Sequence, residues 1–111
     1  MDELRFSIQG SSDEPYTVRF ERPAPGNLNA YCTCPAGQNG QYCKHRVNLL
    51  NGEIKGIVSG NESDLTKLAE MVSGSDVEAT YNHVLDLEAQ AANIKKQIAS
   101  AKKDLARAML R

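Results

Sequence analysis

Two short stretches, Cys32-Thr33-Cys34 and Cys43-Lys44-His45, hold all three cysteines and one of the two histidines of this 111-residue chain. The eight residues between them, PAGQNGQY, are rich in turn formers. Thiolate and imidazole are ligands that zinc prefers, and a tetrahedral site needs four of them about 2.0–2.3 Å from the ion. A loop turned by Pro35, Gly37 and Gly40 can fold back to bring both pairs together, with Thr33 and Lys44 pointing outward. The expectation is one Zn²⁺ per chain on Cys32, Cys34, Cys43 and His45. Lys44 and Arg46 would offset part of the negative charge that three thiolates leave on a divalent ion.

Such a zinc should be structural. Four strong ligands leave no open position for water, and no glutamate stands in an H-E-x-x-H or H-x-E arrangement to act as general base. The deaminase pattern fails for the same glutamate and for want of a P-C-x-x-C spacing. No catalytic residue is expected. Iron or an iron–sulfur cluster is compatible with three cysteines and a histidine, but the mixture fits zinc better. A redox role is weaker, because the spacing is C-x-C and no helix begins directly after the first cysteine. Thiols without a metal are the plain alternative.

Chain length allows one domain, or a small domain with an extension. Aromatic residues make up 5% and Trp is absent, so a body of this size has a thin core and needs a disulfide, a metal or a partner chain to support it. Three cysteines cannot all pair, and MDELRFSIQG lacks the features of a signal peptide, so an intracellular, cytoplasmic, reducing environment is expected. No stretch approaches the apolar length of a membrane span.

The elements that must position the ligands change period along the chain. Leu4, Phe6 and Ile8 alternate with polar residues, as do Tyr16, Val18 and Phe20 after the turn-like SSDEP, which predicts an antiparallel hairpin. Pro23, Pro25 and Gly26 interrupt it, and Leu28 to Cys32 makes a third short strand. Val47, Leu49 and Leu50 suggest two helical turns stopped by Asn51-Gly52. In EIKGIVSG, Ile54, Ile57 and Val58 are expected to cover the core from a short strand. Ser63 is a candidate cap for a helix over 64–72 with Leu65, Leu68, Ala69 and Val72 on one face. The fold class is α+β: a zinc-binding β-β-α head over 1–60, then a helical region over 61–111.

Ser75 and Glu78 form a capping-box pair, and neither Gly nor Pro follows through Arg111. A helix over 76–111 is predicted, on the order of 50 Å long. Val77, Val84, Ala91, Ile98 and Leu105 fall at heptad position a, with Thr80, Leu87, Ile94, Ala101 and Ala108 at d. This is the pattern of a coiled-coil arm, and its apolar members are the expected oligomer interface. Residues 61–89 carry Lys67 against seven acidic residues; residues 90–111 carry Lys95, Lys96, Lys102, Lys103, Arg107 and Arg111 against Asp104. Acidic first half and basic second half suit antiparallel pairing of two copies. His83 lies beside the seam and reads as an interface or surface residue. Met71 and Met109 read as packing residues.

The order of these features resembles the SWIM zinc fingers: Tyr16-x-Val18-x-Phe20 in a strand, then Cys32-Thr33-Cys34-Pro35, Gly40, and Cys43-Lys44-His45 opening a helix. The resemblance covers about Tyr16 to Leu50. It implies the same four zinc ligands in a β-β-α unit, and an association with DNA binding and protein–protein interaction. Two function classes follow. In one, the chain is a non-enzymatic module whose zinc-stapled head carries an arm for dimerisation or docking another protein. In the other, it is a small nucleic-acid-binding protein, most simply for DNA, with phosphate contacts from Arg19, Arg22, Lys44, Arg46, Lys55, Lys95, Lys96, Lys102, Lys103 and Arg107. The net charge of −1 gives no bulk attraction to nucleic acid. Tyr31 and Tyr42 bracket the cysteine cluster and are expected to pack as lids over it rather than stack on bases.

Overall fold

A computed structural model describes residues 2–110. Three strands, β1 (Asp2–Ile8), β2 (Tyr16–Arg22) and β3 (Asn29–Cys32), form an antiparallel sheet with β2 in the centre. The helices are α1 (Pro35–Gln38), α2 (Lys44–Leu50), α3 (Asp64–Val72) and α4 (Asp76–Met109). The architecture is α+β. The chain forms two compact units that divide between Glu78 and Ala79.

Register in the sheet follows the alternation. Leu4 pairs with Phe20, Phe6 with Val18 and Ile8 with Tyr16, so the apolar residues of β1 and β2 share one face. In β3, Cys32 stands opposite Val18, which puts its thiol on that same face. Phe6, Val18, Phe20 and Leu68 are the most completely buried side chains, and Phe6 meets Phe20 edge to face at 6.2 Å. The ligands Cys32, Cys34 and Cys43 belong to this core. There is thus one core, with the metal ligands at one end and α3 at the other.

Several local expectations are corrected. Residues 53–58 form no strand; Ile57 makes a single bridge to Ile8 and packs on the core, while Ile54 and Val58 are 62% and 54% exposed. The turn at Gly56, with φ of 91°, breaks any longer ladder there. This segment instead covers the free edge of β1. Val58 donates its N–H to the Ser7 carbonyl, Ser7 donates to the Ser59 hydroxyl, and the Asn61 amide donates to the Arg5 carbonyl. Covering at Arg5 and Ser7 hinders pairing with another strand along that part of the edge. On α3, Met71 rather than Ala69 completes the buried stripe with Leu68. Ser63 makes no side-chain cap; the Asn61 amide reaches the Asp64 carboxylate instead.

The start of α4 is tied into the head. Glu78 donates its backbone N–H to the Ser75 hydroxyl, and the Glu78 carboxylate accepts from Gly74 N–H, as a capping box does, displaced by one residue. Asp76 donates its N–H to the Gly26 carbonyl and its carboxylate accepts from Leu28 N–H. Val77 packs on the core. Beyond these residues no side chain of α4 is buried, and Met109 is exposed rather than packed.

Phe20 is fully buried at the centre of this small core. Phe20→Ala is expected to destabilise the head by about 3–5 kcal/mol, measured by urea denaturation of the zinc-loaded protein.

Candidate metal centre

Each ligand is delivered by the end of an element. Cys32 closes β3, Cys34 is the N-cap of α1, Cys43 is the N-cap of α2, and His45 lies in the first turn of α2. The strand is pinned just beyond Cys32: Thr33 donates its N–H to the Thr17 carbonyl, and Thr17 donates to the Thr33 hydroxyl. Thr33 therefore turns toward β2, away from the thiols. Gly37 donates its N–H to the Cys34 sulfur at 3.3 Å. A side chain at Gly37 would run into the Cys32 carbonyl and Cβ, so this position needs hydrogen for close approach.

The four ligand atoms lie within 4.8 Å of one another. Cys34 and Cys43 sulfurs are 3.3 Å apart; His45 Nδ1 is 3.8 Å from the Cys32 sulfur and 3.6 Å from that of Cys43. With zinc–sulfur bonds of about 2.3 Å, the edges of a tetrahedral site are about 3.5–3.8 Å. The spacing fits. The three thiols are unpaired and buried, and among the described residues this is the one grouping of such ligands. Cys32, Cys34, Cys43 and His45 make a single structural zinc site, in which bound zinc supplies a cross-link between β3, α1 and α2. Its four protein ligands leave no position for substrate.

Of the metal-free ligands, Cys32, Cys43 and His45 are shifted in different directions. Burial pushes the Cys32 thiol up to about 12. Burial also raises Cys43, but hydrogen bonds from the Arg46 backbone, the Cys34 and Cys32 thiols and the His45 backbone outweigh it and hold Cys43 below its ordinary value. Burial first, and then the Lys44 charge, lowers His45, keeping the imidazole neutral as a ligand must be.

A segment running from β2 through α2 matches the family model described as the SWIM zinc finger, residues 16–51. This segment holds a SWIM-type zinc-binding cluster. The match leaves β1, α3 and α4 outside it. Comparisons with curated proteins and with solved structures return no match.

The shell around the SWIM cluster includes residues that spacing did not reveal. Tyr16 packs its ring on His45 at 5.0 Å, and Gly10 lies against both; a side chain there would meet the Tyr16 ring. Arg46 donates to the Ala30 and Gln41 carbonyls, fastening α2 to β3 and to the ligand loop. Tyr42 lines the shallow cleft beside Cys34, Cys43 and His45. Tyr31 does not: it is opposite Arg19 on the other face of the sheet, where the guanidinium stacks on its ring at 4.2 Å. Adjacent residues of a strand face opposite ways, so a buried Cys32 sends Tyr31 outward.

The basic residues near the head are dispersed. Arg19 pairs with Glu21 and Arg22 with Asp2, both at 2.5 Å. Hydrogen bonding from Asn29, with the Arg19 charge and the Tyr31 hydroxyl, holds the Glu21 carboxyl below its usual value. Lys44 and Lys55 are exposed, and Lys95, Lys96, Lys102, Lys103 and Arg107 lie on the exposed second half of α4. Of the predicted interface residues, Val77 packs on the head and Val84 is half-buried. Leu87, Ala91, Ile94, Ile98, Ala101, Leu105 and Ala108 are exposed, and so is His83.

Cys43→Ser is expected to abolish zinc binding and loosen the head; one retained zinc per chain with unchanged folding would contradict this. Because bound ligands must be deprotonated and Cys32 otherwise keeps its proton to about pH 12, zinc binding should release protons and strengthen as pH rises through the neutral range. Titration calorimetry in buffers of different ionisation enthalpy measures that release.

Proposed function

We propose that this protein is a non-enzymatic interaction module whose zinc-stapled head carries a helical arm that self-associates as a coiled coil. The observation that carries this reading is the seam on α4. Leu87, Ile94, Ile98 and Leu105 repeat at a and d and remain 48%, 54%, 51% and 56% exposed in the single chain. Water on such a stripe is unfavourable, and a facing helix removes it. Exposed seams of this kind mark interaction sites.

The zinc supports the module by shaping its head rather than by chemistry. Nucleic-acid binding is the second reading, supported by the run of lysines from Lys95 to Lys103 and by the SWIM resemblance. It is weakened by the net charge of −1 and by the engagement of Arg19, Arg22 and Arg46 within the head. Phosphate contacts from the arm alone would give weak binding that falls steeply with salt.

Ile98→Asp puts a charge into the middle of the seam and is expected to return the associated protein to the monomer mass in sedimentation equilibrium, with zinc content unchanged. An unchanged mass would show that the seam does something else. Titration with duplex DNA, single strands and RNA at two salt concentrations tests the second reading: binding at low salt that falls steeply at the higher would support it, and no binding at low salt would remove it.

A further inference from the structure

We propose that the second copy runs antiparallel along α4, on a two-fold axis level with Lys96; this rests on the reading of the arm as a self-association element. Charge decides the direction. From Asp76 to Gln90, α4 carries Asp76, Glu78, Asp86 and Glu88 and neither Lys nor Arg; the remainder is basic but for Asp104. Parallel pairing in register would lay acid on acid and base on base. Antiparallel pairing opposes the two halves.

Side-chain size decides the register. Leu87 and Leu105 stand at equal distances either side of Lys96, as do Ala91 and Ala101, and Ile94 and Ile98. An antiparallel coil pairs a with d, so a two-fold axis there stacks Leu on Leu, Ala on Ala and Ile on Ile. The Ala layers let the helices approach closely between the larger ones. At the flanking e positions, Glu88 meets Lys102 of the partner subunit, twice by symmetry. Lys95 meets the partner's Lys95 across the axis, where the long stems can splay. Sliding one heptad toward the head would replace that meeting by Glu88 with Lys95. It would also set Leu105 against Thr80 and Met109 against Asp76, whose carboxylate and N–H are already held by Leu28 and Gly26. The geometry of the first register separates the two Glu78 residues, where each head ends, by about 54 Å along the axis.

The test uses the full zinc-loaded chain in sedimentation equilibrium. The wild type should be a dimer. Glu88→Lys alone and Lys102→Glu alone should each weaken it about tenfold, since each change turns two attractions into repulsions. The double variant Glu88→Lys/Lys102→Glu should return to near the wild-type affinity, and Glu88→Lys/Lys95→Glu should not. These side chains are exposed, so circular dichroism should show the same helix content throughout. A dimer rescued by the 88/95 swap, or indifferent to all of them, would overturn the antiparallel register while leaving self-association standing. A monomeric wild type that binds one zinc would overturn both while leaving the zinc-stapled head.

Discussion

Everything in the head hangs on three buried sulfurs and one imidazole held within a few ångströms of each other. Structural zinc in small fingers supplies on the order of 10 kcal/mol of folding free energy. Whole domains are stable by about 5–15 kcal/mol. A single cross-link is therefore comparable with all the rest of the folding balance, and a core of two phenylalanines and a few aliphatics need supply only the difference. The ligands are also core residues: Cys32, Cys34 and Cys43 pack in the same cluster as Val18, Phe20 and Leu49. Metal and hydrophobic burial thus stabilise one unit rather than two adjoining ones.

Around the ligands the backbone is held by groups that do not touch the metal. Thr33 and Thr17 fix the exit of β3, Arg46 joins α2 to β3, and the Gly37 N–H meets a thiol directly. Each orients an element end, and element ends carry the ligands. Losing an outer contact of this kind typically costs about 10–100-fold in metal affinity. The segment 56–61 works differently, by covering an edge of the sheet that would otherwise offer unpaired backbone to other chains.

The ligand set and the hairpin were legible because their signals are local and periodic. Two C-x-C and C-x-H pairs need only spacing, and alternation over Leu4–Ile8 and Tyr16–Phe20 fixes which residues face inward. The Ser75/Glu78 pair and the stop at Asn51-Gly52 were legible for the same reason. Residues 53–58 misled because an apolar run reads alike whether it forms a ladder or touches it at one bridge. Tyr31 could have been placed by parity with Cys32, but nearness in sequence to the cysteines suggested a lid. Contacts made across long separations, such as Asn61 with Arg5 or Asp76 with Leu28, leave no periodic mark.

The attachment of Asp76 to Gly26 and Leu28 makes the folded head a template for helix initiation. Fixing the first turn is the unfavourable step in forming any helix, and later residues add with little further penalty. Here the first turn of α4 is already fixed by the capping box, by Val77 on the core and by the loop that leads into β3. The Asp76 N–H and carboxylate meet Gly26 and Leu28 just ahead of β3, so the order that brings Cys32 to its place in the head is continuous with the order of the first turn of α4.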